Sequence, residues 1–422
     1  LRGLIVALKF EKRPGSHSSV RQDIRCMGKF ILFTPGPINV SPNVRKAIVR
    51  KDICHREVDF ERLFRRIERQ LLELFEIRNP QKYQAVVITG SGSAANEAML
   101  SSVVGDQKIL ILSNGEFGER LHETSAIYNR RTSILRFPWG EQLDLEVIDQ
   151  YLLAHAIDVI AVVHHETSSG MLNSLAEVGK LAQTHGATLL VDCVSSAGAE
   201  TIDMERDHIA FCSASSSKAI GSYPGLSFVI GKTAEFEKIA ALPAKTSYLN
   251  LYKFFAFATE RSQTPNTPAV PLFYALDQAL ADILDETVVA RRAKILRKAT
   301  KLRKGMTKLG LTFLLETSDM SSVLTTVNMP PGDDIDELRR SLREQSIIIY
   351  EGKGPLKGRV FQVGSIGDLS KPDVQTFLSA LRAAVRGMHL VQPLSAQQAD
   401  RFLPDLFEAV PVGASALQDG AA

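Results

Sequence analysis

The stretch SASSSKAIGSYPG, Ser213 to Gly225, sets one lysine, Lys218, in a run of small residues. That lysine has little nearby to pack against and no acid nearby in sequence to pair with. An isolated lysine is ordinarily a solvated loop residue. The alternative is a nucleophilic amine held in a pocket with walls thin enough to admit a flat ligand. Two further features bear on the choice. Asp192 ends the apolar run in LLVDCVSS, and a carboxylate at the tip of a buried strand is costly unless a cation compensates it. In TGSGSAANEA, Ser91, Gly92 and Ser93 stand between an apolar run and a helix-period stretch. Small residues there let backbone approach an anion, and the free N–H groups of a helix start favour a phosphate. Glycine turns before helices are common, so this feature carries weight only beside the other two.

The elements that must position these residues are legible as short apolar runs alternating with helix-period stretches. Strands are expected at Gln84–Gly90, Lys108–Gly115, TSILRFPW, Asp158–Glu166, ATLLVDCVS, HIAFCSASS and Gly225–Lys232. Helices are expected over SAANEAMLSSVVG, EFGERLHETSAIY and NSLAEVGKLAQTHG, the last ended by Gly186. Alternation of this kind predicts βαβ units, a parallel-rich sheet and helices on both faces: an α/β fold. From about Leu272 one long helical stretch precedes the shorter runs SSVLTTVNM, SIIIYEG and RVFQVGS. The expected organisation is an N-terminal arm over 1–29, a large domain over 30–271, a smaller α+β domain over 272–390 and a flexible tail over 391–422. Residues 1–26 read as a disordered arm, an appended remnant or an upstream-extended start, with Met27 a plausible beginning. In open α/β sheets ligands bind beyond the carboxyl ends of strands. Ser91–Ser93, Asp192 and Lys218 all follow such ends.

The 422 residues suffice for two lobes around a large core, and the formal charge of +3 argues against a dedicated nucleic-acid binder. No apolar run reaches membrane-spanning length. The cysteines, Cys26, Cys54, Cys193 and Cys212, are widely spaced and form no CxxC pair. Neither a disulfide framework nor a metal site is expected, which favours a reducing cytoplasm.

An anion cradle, a buried acid and a lone amine on successive strand ends are what a pyridoxal phosphate site requires. The chain resembles the class V (fold type I) pyridoxal phosphate aminotransferases from about Phe30 to about Met388. The resemblance is carried by ILFTPGPINVSPNVRKA, TGSGSAANEA, SNGEFGER, VVHHETSSGMLN, LLVDCVSS, SASSSKAIGSYPG and FQVGSIGD. Within that group it most resembles the 2-aminoethylphosphonate–pyruvate transaminases, with alanine–glyoxylate and serine–pyruvate aminotransferases next. The resemblance implies that Lys218 makes the Schiff base and that Asp192 holds the proton on the pyridine nitrogen. It implies that Ser91, Gly92 and Ser93 lie near the cofactor phosphate and that Phe117 stacks on the ring. Thr167 touches the ring side, with Ser196 a further candidate there. One of Thr264, Asn266 and Thr267 reaches the phosphate of the partner subunit, which implies a homodimer with shared sites. Gly36, in TPGP, lies at the substrate mouth. His55 and Arg56 either face the pocket or hold their loop.

Two positions depart from the resembled pattern. Ser217 stands where an asparagine or glutamine often contributes to phosphate binding. Gln362, in FQVGSIGD, stands where an arginine usually clamps the substrate carboxylate. Arg359 is an odd number of residues away on the same strand and so faces the other way. The implied activity is transfer of an amino group from a small amine or amino acid to a keto acid such as pyruvate. A pyridoxal phosphate lyase or decarboxylase on the same scaffold is the competing chemistry.

Overall fold

The computed structural model describes residues 30–330 and 332–386 of the 422. The arm expected over 1–29, with Met27, and the tail expected over 391–422 lie outside the described residues. Among the described residues, no helix is long and apolar enough to cross a membrane, and no group of side chains could hold a metal ion.

The apolar runs form one seven-stranded sheet. Its order is Tyr83–Thr89, Leu226–Lys232, Ile209–Ser215, Thr188–Asp192, Val159–Val163, Ile109–Ser113, Thr132–Arg136. Strands such as Ile109–Ser113 and Val159–Val163 are buried along their whole length. Helices cover both faces, so these strands read as continuous apolar runs rather than alternating ones. Leu226–Lys232 runs antiparallel to both neighbours, while the other pairings are parallel. That exception positions the site. A parallel neighbour needs a long crossover, whereas an antiparallel one is reached by a loop. The chain between Ser215 and Leu226 therefore stays at the carboxyl edge of the sheet, and Lys218 stays with it. The loop is tied to the next strand end where Gly90 N donates to Gly225 O at 2.8 Å.

The run expected as one strand over Asp158–Glu166 divides. It leaves the sheet after Val163, and His165–Glu166 pairs instead with Met171–Leu172. The pull on it is electrostatic. The buried Glu166 carboxylate accepts from the backbone N–H groups of Phe117 and Gly118, at 3.1 Å each. It thus caps the positive end of the helix Glu116–Tyr128. The long helical stretch after Leu272 also divides, into Val270–Glu286 and Val288–Thr307. Thr287 sits between them at φ +72°, and its hydroxyl accepts from Ala290 N.

A smaller α+β domain follows. Its antiparallel sheet runs Leu324–Asn328, Val360–Gly364, Tyr350–Glu351. A second core lies under it, built from residues such as Leu302, Met306, Val327, Phe361 and Phe377. The N-terminal segment belongs to this core. Ile31–Leu32 pairs in parallel with Ile347–Ile348, and Phe33 stacks on Phe377 with ring centroids 4.4 Å apart. The segment then runs back to Gly36, so residues near the start of the chain bridge the small domain and the lysine loop.

Candidate active site

Asp192 is buried, and its two oxygens are separately held. Oδ1 accepts from Val194 N at 2.8 Å and Oδ2 from Asn96 Nδ2 at 2.6 Å. The hydroxyl of Ser213 donates to Asn96 Oδ1, which fixes the direction of the amide. Gly92 makes this arrangement possible. A Cβ there would come within 2.8 Å of both Val194 methyl carbons, so only glycine lets the helix Gly92–Val103 settle against the Asp192 loop. Asn96, one turn later, then reaches the carboxylate. Burial pushes the Asp192 carboxyl up, while the Val194 and Asn96 donors and the nearby Lys218 charge pull it down.

Lys218 lies across from this acid, in contact with Gly36. A Cβ on Gly36 would meet Lys218 Nζ at 2.9 Å and Cδ at 3.0 Å, and Gly36 has φ +145°. Tyr350 Oη donates to Gly36 O at 3.1 Å. Burial brings the Lys218 amine down to about 8, with Lys353 and Arg120 adding to the drop and Asp192 opposing it. At neutral pH a usable fraction is therefore the free base.

Around this pair the structure gathers Phe117, Thr167 and Gln362. Arg120 and Lys353 lie over the Phe117 ring, at 4.8 Å and 5.2 Å from its centroid. Thr167 Oγ1 donates to Ser195 Oγ at 2.7 Å, whereas Ser196 is turned to Cys193 O. Ser195 is thus the serine that meets Thr167. Gln362 Nε2 donates to Thr167 O and Ser168 O at 2.9 Å each. Both amide hydrogens are spent on backbone. His165 is buried with Nε2 unpartnered, and burial brings its pKa down to about 3, so it stays neutral.

The anion cradle is open. Ser91 and Ser93 are exposed, and Ser91 makes no side-chain cap on the helix it precedes. Ser217 Oγ lies 3.1 Å from Ser215 Oγ. The residues expected at a partner's phosphate form a second group. Arg56 donates to Gln263 Oε1, Thr264 O and Pro265 O at 3.0, 2.7 and 3.0 Å. Arg56 therefore holds its neighbouring loop. Next to it, His55 is lowered, first by burial and then by the Arg56 charge. Thr264 Oγ1 donates to Asn266 O at 2.8 Å, Asn266 Nδ2 is buried without a partner, and Thr267 is exposed. Among the described residues, no hydrogen bond links this group to Lys218, Asp192 or Ser91.

Asn96, Ser195, His165, Glu166, Arg120, Lys353 and Tyr350 were not singled out from the sequence. Asn96 carried a usable signal, since it is four residues after Gly92 on the same helix face.

The family model "Aminotransferase class-V" matches residues 43–357. The chain belongs to the class V aminotransferases. A 2-aminoethylphosphonate–pyruvate transaminase of Phocaeicola vulgatus is 31% identical over 366 residues, 85% of this chain and 100% of that protein. Among solved structures, alanine–glyoxylate aminotransferase from Nostoc sp. superposes with a TM-score of 0.81 at 27% identity, covering 90% of this chain and 100% of that one. Pyridoxamine–pyruvate aminotransferase from Mesorhizobium loti gives a TM-score of 0.81 at 26% identity, over 90% of this chain and 97% of that one.

This aminotransferase is a pyridoxal phosphate-dependent enzyme that transfers an amino group to a keto acid. Its residues fit the cofactor. Among the described residues the buried Asp192 carboxylate has no ion-pair partner, so it calls for a cation, and a protonated ring nitrogen is one. The uncapped helix start at Ser91 suits a phosphate. When bound, the cofactor supplies an electron-withdrawing ring that stabilises negative charge on the carbon bearing the substrate nitrogen. The chain supplies the rest. With that group in place, Lys218 Nζ would be the nucleophile and the base that carries a proton to and from that carbon. Asp192 would hold a proton on the ring nitrogen, and the hydrogen bonds from Asn96 and Val194 keep Asp192 in place.

Proposed function

We propose that this aminotransferase takes its amino group from a small amine or amino acid resembling 2-aminoethylphosphonate and passes it to pyruvate or a close analogue. The observation that carries the transferase reading is the Asp192–Lys218 pair, with the acid doubly hydrogen-bonded and the amine lowered to about 8. The names of the curated relatives support this donor. The test is a screen of amino donors against pyruvate, following alanine. Alanine should form with 2-aminoethylphosphonate, and donor consumption should stop when the keto acid is left out. Donor breakdown without keto acid would instead mark a lyase.

Gln362 shapes the acceptor side of this reading. Its two N–H groups already serve Thr167 O and Ser168 O. No amide hydrogen is left for a substrate carboxylate, where a guanidinium would make charge-assisted bonds. We expect weak use of pyruvate by the parent and better use by Gln362→Arg. The gain should be roughly ten- to a hundredfold in specificity constant, from about 1.5–3 kcal/mol for a charged hydrogen bond. A parent that is already efficient, with nothing gained by the arginine, would show that the carboxylate is held elsewhere.

The active assembly in this reading is a homodimer in which the 264–267 turn serves the partner's site. The unpartnered Asn266 amide supports it. A solution mass of a single 46.4 kDa chain under assay conditions would rule it out.

A further inference from the structure

We propose that Arg120 and Lys353 bind the distal acidic group of the amino donor, and that Glu116 holds their place in the free enzyme. The inference rests on the aminotransferase reading and narrows its substrate class. The donor would be a primary amine carrying a phosphonate, sulfonate or carboxylate a short chain away from the nitrogen.

The two cations converge on one atom. Glu116 Oε1 accepts from Arg120 Nη2 at 2.8 Å and from Lys353 Nζ at 3.1 Å. They come from different domains. Arg120 lies one turn after Glu116 on the helix Glu116–Tyr128, and Lys353 lies between the strand Tyr350–Glu351 and the strand Val360–Gly364. Both lie over Phe117, and both are near enough to Lys218 to press its amine down.

The position of Lys353 is built by the backbone around it. A Cβ on Gly352 would come within 2.5 Å of Val360 Cγ2, and one on Gly354, at φ +49°, within 2.7 Å of the Trp139 ring. Lys353 O accepts from Leu356 N at 2.9 Å. Two glycines that tolerate no side chain thus fix the lysine between them, while its own side chain stays partly exposed.

Among the described residues, Arg303, whose charge acts on His165, is already bound to Thr325 Oγ1 and the carbonyls of Ser321 and Leu324. Arg120 and Lys353 have a counter-ion that can leave. An exposed ion pair of this kind is worth little, and one carboxylate against two cations leaves a positive charge unmatched. A phosphonate offers more acceptor oxygens and more charge than Glu116, so exchange favours it.

The test is a binding titration of the cofactor-loaded enzyme, read from the shift of its visible absorbance, without keto acid. The probes are 2-aminoethylphosphonate and ethanolamine, which share the two-carbon amine and differ in the distal group. The phosphonate should bind at least about tenfold more tightly at low salt, and its advantage should shrink as salt screens exposed charges. Lys353→Gln should lower the ratio of the two affinities by about ten- to a hundredfold, the worth of a charged hydrogen bond. Glu116→Gln should raise it. Equal affinity for the two amines would overturn the proposal, as would a ratio that Lys353→Gln and Glu116→Gln leave unmoved. A protein whose absorbance responds to neither amine would fail at the earlier step, the transferase reading itself, and take this inference with it.

Discussion

Lys218→Ala yields a folded protein that develops no Schiff-base absorbance with pyridoxal phosphate and turns over several orders of magnitude more slowly than the parent. The covalent step has no substitute, because no other free amine lies beside Asp192 among the described residues, Lys353 being bound to Glu116. The lysine is also a filler. Its side chain occupies the space a Cβ on Gly36 would need, so its loss opens room without introducing strain. Far-ultraviolet circular dichroism should be unchanged. The parent carries a second signature. Its amine is brought to about 8, chiefly by burial. Below that pH most of it is protonated and cannot attack. The rate at which cofactor-free protein captures pyridoxal phosphate should therefore climb with pH toward about 8 and level above it. Activity retained in Lys218→Ala, with an unchanged pH profile, would remove this residue from the chemistry.

Why the lysine was visible in the sequence, and its supports were not, has a physical reason. Lys218 stands out because its neighbours are small, and Asp192 because its strand is apolar. Both are contrasts along the chain. The sheet was legible for the same reason, since strands covered on both faces must be apolar throughout. What sequence spacing does not carry is convergence from distant segments. Asn96 meets Asp192 only because Gly92 has no Cβ to strike Val194. Lys353 meets Glu116 across 237 positions. The division of Asp158–Glu166 was hidden likewise. Glu166 reads as the polar end of a strand until the helix that needs its carboxylate is placed beside it. Gln362 was read as a departure from an arginine clamp. The structure adds what the glutamine does instead, which is to tie the small domain to the carbonyls of Thr167 and Ser168.

Asp192→Asn should slow turnover by about two to four orders of magnitude, the range typical for a group that governs a proton. Two effects act together. A neutral amide cannot hold a proton on a ring nitrogen as a carboxylate does. The amide also carries hydrogens where the carboxylate carried lone pairs. Val194 N donates to one Asp192 oxygen and Asn96 Nδ2 to the other, and Ser213 keeps Asn96 from turning round. Whichever way the new amide points, its NH2 group faces a donor. The carboxylate is matched to this site and the amide is not, so the substitution costs more than its charge. Asn96→Ala separates the effects: it removes one donor and keeps the charge, so its loss should be far smaller. The measurement is the specificity constant of both variants, with cofactor affinity followed by absorbance. Asp192→Asn should still bind pyridoxal phosphate through Lys218, more weakly than the parent. Equal losses in the two variants would mean that placement of the acid, rather than its charge, limits the reaction. A variant of Asp192 as fast as the parent would show that another group protonates the ring.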